Sequence, residues 1–344
     1  MTNVTLKDVA EKAEVSTATV SRVINGNCYV RPELKELVNR TIKELGYVQN
    51  GVAKSLITRT THTIAYVTAD IANPYMVTVA RAIESIVQQE GYTLLMCSST
   101  GDADQERERL QMLMARKVDA LVLNGTGYNQ ELVVEISKQI PVVLLHRRYN
   151  DPTFKGDYMG SYNNEGIRLL TQHLLDVGHE KIFIIKGAIR ASTHLDRFES
   201  FVTTMKSAGI NVDENYPYQF GDSFTHECGY AAIEHICAID DKPTAILAFN
   251  NTLCLGALNG IQENNIRVPE DLSIACFNDI NHRELMSIRP TVYSIRPTEV
   301  GLQVGEALLE RLKNPDLPYR VMEPKGELIP GNAVNTPSHS FKRK

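Results

Sequence analysis

Among the six cysteines (Cys28, Cys97, Cys228, Cys237, Cys254 and Cys276) no two are spaced as Cys-x-x-Cys, and the nine histidines show no zinc-ligand spacing. A disulfide or zinc framework is therefore excluded, and the thiols read as reduced packing residues of a cytoplasmic protein. Long apolar runs are also missing. The longest, residues 140–145, falls far short of a bilayer span, and the opening MTNVTLKDVAEK carries charges where a signal peptide would be apolar. Neither export nor membrane insertion is expected. Nor is there a basic excess: 36 Lys and Arg stand against 41 Asp and Glu, a net charge of −5, which excludes a general nucleic-acid coat protein.

Catalytic signatures are equally scarce. The chain has no P-loop and no Gly-x-Ser-x-Gly elbow. Gly125-Thr126-Gly127-Tyr128-Asn129-Gln130 imitates the start of a dinucleotide fingerprint but lacks its third glycine, so it reads as a plain turn. No enzyme, cofactor or metal site is read here.

What the chain does have is 344 residues at 43% hydrophobic, enough for one large core or two ordinary ones. Its charge is also unevenly spread. Residues 1–60 hold nine Lys and Arg against six acids, an excess of three, which leaves −8 for the remainder. The first 46 residues read as three short helices. Leu6, Val9, Ala10 and Ala13 form one apolar stripe behind Thr5 as N-cap; Val20, Val23 and Ile24 form a second behind Ser16, stopped by Asn25-Gly26. The third starts at Pro32 and ends at Gly46. Thr17, Ala18, Thr19, Ser21, Arg22 and Asn25 leave the second helix with a small, polar outer face. A helix, a tight turn and a second helix of this kind make a helix-turn-helix, whose second helix enters the DNA major groove.

From residue 63 onward short β-rich runs alternate with amphipathic stretches. The predicted strands are 63–68, 93–98, 119–124, 141–146, 181–186, 244–249 and 272–277. The predicted helices lie near 75–90, 104–116, 164–177, 197–208, 226–238, 252–264 and 298–313. The pattern implies parallel sheets in two similar lobes, with a ligand cleft outside the carboxyl ends of the strands. The expected division is a DNA-binding domain over 1–46 and a linker over 47–61. A first lobe takes 62–162 and 291–319, a second takes 163–290 and 320–330, and a polar tail covers 331–344.

The string TLKDVAEKAEVSTATVSRVINGN resembles the operator-reading headpiece of the lactose-repressor/galactose-repressor (LacI/GalR) family almost position by position. The segments DIANPYMVTVARAIESIVQQEGY, VDALVLNGT, HLLDVGHEKIFIIKG, PTAILAFNNTLCLGAL and RVPEDLSIACFNDI extend the resemblance to about residues 3–330. The resemblance implies a small all-α helix-turn-helix headpiece on an α/β two-lobed core of the periplasmic-binding-protein type. It implies a dimeric repressor that holds a roughly palindromic double-stranded operator and answers to a small-molecule effector, a sugar or related metabolite. Thr17, Ala18 and Arg22 match base-reading positions, Arg22 suiting guanine O6 and N7; Ser16, Thr19, Ser21 and Asn25 fall among backbone-contacting ones, and Thr5 is counted with the DNA-binding set. Asn50, Val52, Ala53 and Leu56 match a hinge helix that pairs with its dimer mate, with Leu56 as the minor-groove wedge. Effector contacts carried over are Asn73, Tyr75, Met76 and His146 from the first lobe, and Arg197, Phe224, Asn250 and Asn278 from the second.

Three positions depart from the family pattern. Glu14 stands at the turn where Gly or Asn is frequent, so a positive φ there would cost about 1 kcal/mol. His146 replaces a common Asp, and Asn278 stands where an Asp often grips the effector. The reading from another class is a small-molecule binding protein of the periplasmic type without DNA function.

Overall fold

The computed structural model describes residues 4–26, 29–47 and 60–337. The predicted linker positions Asn50, Val52, Ala53 and Leu56, together with Cys28, lie outside the described residues. Two compact units divide between Thr61 and His62.

The first unit contains α1 (Leu6–Lys12), α2 (Thr17–Asn25) and α3 (Pro32–Leu45). Thr5 caps α1 reciprocally: its Oγ1 accepts from the Asp8 N–H at 3.3 Å, and its own N–H donates to Asp8 Oδ2 at 2.7 Å. Ser16 Oγ accepts from the Thr19 N–H at 3.1 Å, which fixes where α2 begins, and Gly26 ends it at φ 67°. Val9, Ala10, Ala13, Val20, Val23 and Val38 form the small core.

The turn between α1 and α2 does demand a left-handed residue: Glu14 sits at φ 53°. A glutamate pays about 1–2 kcal/mol there, against roughly 0.4–1 kcal/mol for the extra unfolded-state freedom of glycine. Glu14→Gly should therefore stabilise the headpiece by about 0.5–1 kcal/mol, read as slower amide hydrogen exchange in α1 and α2 of the full chain. Unchanged or faster exchange would contradict the strain.

The second unit holds two six-stranded sheets. The first is built from β1 (Thr63–Thr68), β2 (Thr93–Ser98), β3 (Ala120–Asn124), β4 (Val142–Leu145), β5 (Asp157–Met159) and β11 (Val321–Met322), in the order β11-β5-β4-β3-β1-β2 and parallel throughout. The second comprises β6 (Ile182–Ile185), β7 (Gln219–Phe220), β8 (Ala245–Ala248), β9 (Ser273–Phe277), β10 (Thr291–Ser294) and β12 (Glu327–Ile329). Its order is β12-β10-β9-β8-β6-β7, with β12 antiparallel to β10. The central strands are buried runs such as Ile182–Ile185 and Ser273–Phe277, because helices cover both faces of each sheet.

Around the first sheet lie α4 (Pro74–Val87), α5 (Ala103–Ala115), α6 (Gln130–Ser137) and α11 (Pro297–Lys313); around the second lie α7 (Asn163–Asp176), α8 (Ser192–Ser207), α9 (His226–Ala238) and α10 (Asn251–Glu263). Helices α4 and α11 pack so closely that a Cβ on Gly301 would stand 2.5 Å from the Val79 carbonyl oxygen and the Ala82 Cβ. Glycine is required there to let the backbones meet.

The lobe boundaries differ from the sequence reading. Strand β10 pairs with β9 in the second sheet, whereas residues 291–319 were expected in the first lobe; only α11 of that stretch joins the first. Strand β11 pairs with β5 in the first sheet, although 320–330 were expected in the second lobe. The chain thus changes sheet around residues 160–162, 295–296 and 323–326. The two-residue β11 and three-residue β12 carry too little periodicity to mark these exchanges, and the four-residue β10, inside the second sheet, is absent from the predicted strands. The segment after residue 330 is no free tail as far as it is described. Ala333 is buried, its N–H donating to the Arg289 carbonyl and its own carbonyl accepting from Ile274 N–H at 2.8 Å.

Candidate functional site

In the first unit, the burial of Val20 and Val23 fixes the rotation of α2. Thr17, Ala18, Arg22, Ser16 and Asn25 are consequently exposed, while Thr19 and Ser21 are half-buried. Several of the polar groups are already oriented by neighbours. Ser16 Oγ and Thr19 Oγ1 lie 2.9 Å apart, and the Asn25 side-chain amide donates to Ser21 Oγ at 3.1 Å. Thr5 is exposed beside them in sequence order but spends its hydroxyl on Asp8 Oδ2 at 2.7 Å. The face offers one guanidinium, small side chains and capped amides, with no bulky apolar residue to keep a groove edge away.

The cleft of the second unit lies where the strands of both sheets end. Asn73 caps α4, accepting from the Tyr75 N–H at 3.0 Å, and Asn250 caps α10, accepting from the Leu253 N–H at 2.8 Å. Asn124 ends β3, His146 follows β4 and Asn278 follows β9. His146 and Asn278 both take left-handed backbones, at φ 63° and 69°. Their N–H groups donate across to the Met159 and Tyr293 carbonyls at 2.6 and 2.9 Å, so ladder bonds hold a conformation that histidine rarely adopts.

Seven of the eight expected effector contacts line this cleft: Asn73, Met76, His146, Arg197, Phe224, Asn250 and Asn278. Tyr75 does not. It is buried behind His146, with ring centroids 5.3 Å apart, and its hydroxyl has no hydrogen-bond partner among the described residues. The sequence reading overlooked Asn124, Arg147, Ser161, Thr193 and Asn251. Asn124 and Arg147 could have been found from their place at the carboxyl ends of two predicted parallel strands. Thr193 was missed because α8 starts at Ser192, five residues before the expected helix.

Arg197 is buried and rigidly held. Its Nε donates to Asn163 Oδ1 at 2.9 Å, its Nη1 to the Phe249 carbonyl, and its guanidinium lies 3.8 Å from the centre of the Phe277 ring. Burial, with Arg147 as the next cause, pulls its pKa down to about 9. Arg147 donates to the Gly125 carbonyl at 2.7 Å and lies 5.3 Å from the centre of the Phe224 ring, and burial lowers its pKa too. His146 is held at about 3, by burial first and then by Arg197 and Arg147, so it is neutral at physiological pH. Neither of its ring nitrogens has a partner among the described residues, and neither does Asn278 Oδ1. Buried polar atoms left in this state are costly unless something polar meets them.

The two lobes touch directly across the cleft. Arg148 from the first makes a bidentate pair with Asp196 of α8, at 2.6 and 2.7 Å, and its N–H donates to Ser192 Oγ at 3.0 Å. Asn73 and Asn251 exchange amide hydrogen bonds at 3.1 and 3.4 Å. Between these contacts the cavity measures only about 50 Å³, room for a few water molecules, where small-molecule sites run to some 300–1,000 Å³. Among the described residues no three His, Cys, Asp or Glu side chains are placed to hold a metal, and no helix is long and apolar enough to cross a membrane.

Comparison with known proteins agrees with both halves of this geometry. Residues 5–50 match the family described as bacterial regulatory proteins, lacI family, and residues 171–334 match the periplasmic binding protein-like domain. A PurR transcriptional repressor of Aliivibrio salmonicida (strain LFI1238) is 32% identical over 333 residues, spanning 96% of this chain and 99% of that protein. A ribose operon repressor of Haemophilus influenzae (strain ATCC 51907 / DSM 11121 / KW20 / Rd) is 32% identical over 326 residues, 93% of this chain and 96% of its own. The fold is similar to that of the lac repressor dimer bound to operator and the anti-inducer ONPF, with a TM-score of 0.82 at 21% identity over 97% of this chain and 100% of that one.

Proposed function

Since this chain belongs to the lacI family of bacterial regulatory proteins, we propose that it is a cytoplasmic transcriptional repressor, working as a homodimer on a roughly palindromic operator under control of a metabolite held between its lobes. The observation that carries this reading is the outer face of α2, where Thr17, Ala18 and Arg22 stand exposed above a closed hydrophobic core. In this reading Arg22 reads a guanine edge while Ser16, Thr19, Ser21 and Asn25 set register against phosphate, and Thr5 belongs to the same DNA-binding set. Two headpieces on one axis turn two weak half-site contacts into one linked event. Asn50, Val52 and Ala53 supply the hinge and Leu56 its wedge, unstacking a base step for a few kcal/mol and gaining a bent, more enveloping contact.

Control follows from the cleft. An effector that fills it must bind one arrangement of the lobes better than another, and the Arg148–Asp196 pair and the Asn73–Asn251 exchange are contacts such a shift would make or break. Reciprocity then requires the operator to change effector affinity by the same factor. Nothing in this scheme asks for catalysis.

Selection from a random duplex library with the full chain tests the proposal. A palindrome should emerge, and Arg22→Ala should weaken binding to it by about 1–3 kcal/mol while nonspecific binding falls less. Equal losses on both would refute base reading by Arg22. Failure to enrich any palindrome would favour the ligand-binding protein without DNA function.

A further inference from the structure

The cleft holds more positive charge than its own carboxylates answer. Two guanidiniums, those of Arg147 and Arg197, line it with no carboxylate among the lining residues; Glu106 stands behind Arg147, and Asp196 pairs with Arg148 at the lobe contact. Both acids are already committed. Asp196 holds Arg148 with both oxygens and also accepts from the Asn163 amide at 3.3 Å. Glu106, fully buried on α5, accepts from the Thr126 N–H at 2.5 Å, the Thr126 hydroxyl at 2.9 Å and the Asn129 amide at 2.9 Å, and it steadies Arg147 from beneath. Arg197 therefore has amide, carbonyl and ring partners but no carboxylate of its own. Asp279, beyond Asn278, is paired with Arg283 at 2.9 Å and adds nothing.

Asp196 reaches Arg197 only through the Asn163 amide, and a buried guanidinium with no carboxylate bonded to it is expensive; a ligand of opposite sign lowers the expense. Resting on the reading of this cleft as the effector site, we propose that the effector is a small polyhydroxylated anion, a carboxylate or a phosphate monoester, whose charged group is met by Arg147 and Arg197 together. The rest of the lining suits the polyol. Asn73, Asn250 and Asn278 can donate to and accept from hydroxyls, and the partnerless ring nitrogens of His146 offer one donor and one acceptor in the neutral form. Burial lowers the basicity of both guanidiniums, and Arg147 lowers that of Arg197 further; an anion between them would favour the charged form of each.

The test is titration of the full-length protein by calorimetry and thermal shift with matched probes: D-glucose, D-gluconate, glucose 6-phosphate, D-ribose and ribose 5-phosphate. An anionic member should bind where its neutral parent at equal concentration does not, and the gluconate and phosphate arms decide which anion is meant. Arg147→Gln should then weaken that anion by at least about tenfold, as the loss of a charge-assisted hydrogen bond requires. Anion binding left unchanged by Arg147→Gln and Arg197→Gln would overturn the proposal. So would a neutral sugar binding as tightly as its anion; if Phe224→Ala abolished that binding, the cleft would stand as the effector site and only its charge preference would fall. No binding by any probe also overturns it, and a neutral nucleobase whose binding Phe224→Ala removes would show that the effector site itself survives.

Discussion

Asp157→Ala is expected to cost about 3–5 kcal/mol of stability, the cost of stranding a buried partner charge. Asp157 opens β5 and is 1% exposed. Its Oδ1 accepts from Arg311 Nη2 at 2.9 Å and from the Arg320 N–H at 2.8 Å, and its Oδ2 accepts from Arg320 Nη2 at 3.4 Å. Arg311, itself buried on α11, also donates to the carbonyls of Pro315, Leu317 and Pro318 and lies 4.9 Å from the centre of the Tyr319 ring. Those carbonyls soften the loss but cannot neutralise a guanidinium, so the lower half of the range is expected. The carboxylate ties β5 and α11 to the stretch that leads into β11, one of the passages by which the chain serves both sheets. Urea unfolding of the second unit checks the figure. Replacing both partners, Asp157→Leu with Arg311→Met, should cost less than Asp157→Ala alone, because no charge is left unpaired. If the single change cost under 1 kcal/mol, or the double change cost the sum of the singles, the buried pair would not be a coupled unit. Glu165, paired with Arg168 at the surface at 2.8 Å, gives the contrast: its removal should fall within about 1 kcal/mol.

Asp157 was invisible in the sequence, and the reason is instructive. Its strand is three residues long and its partners lie 154 and 163 positions away, so no local pattern marks it. The helical headpiece was legible because its information is local: Thr5, Ser16, Gly26 and Gly46 cap what the apolar stripes define. The central strands other than β10 were legible for the same reason, being buried runs bounded by turns; β10 offers only four residues, two of them Thr and Ser. Most of the cleft could be named by resemblance, yet its charge balance could not, since that depends on Glu106 and Asp196 reaching it from two different helices. Tyr75 shows the limit of carrying residues over singly. The position is right, but burial puts the ring behind the cleft wall. The left-handed Glu14 was legible only through the resemblance, which puts Gly or Asn at that turn position; the apolar stripes mark the corner but not its φ.

Acid should destabilise the second unit through two histidines that fold in the neutral state. His146 is held at about 3 by burial and by Arg197 and Arg147, and His194 at about 4 by burial and then by Lys186 and Arg197. Both are buried, at 7% and 5% exposure. An unfolded histidine titrates near 6.5, so below that pH the unfolded chain binds protons that the folded one refuses. Stability is therefore fully present above about 6.5 and lost as the pH falls toward the folded values. At pH 5 each histidine sits some 1.5 units into this window, about 2 kcal/mol apiece, giving a combined loss on the order of 4 kcal/mol relative to pH 7.5. Denaturant midpoints at the two pH values measure it, and the comparison with His146→Gln and His194→Gln assigns it. His173 and His179 are also lowered by burial, so each substitution should flatten the acid limb by its own share, about 2 kcal/mol, and leave the remainder. A double variant that kept the full acid slope would place the titrating groups elsewhere. Because Arg147 and Arg197 help keep His146 neutral, an anion seated against both should also raise its pKa and so reduce the slope, which links the acid profile to the charge of the effector.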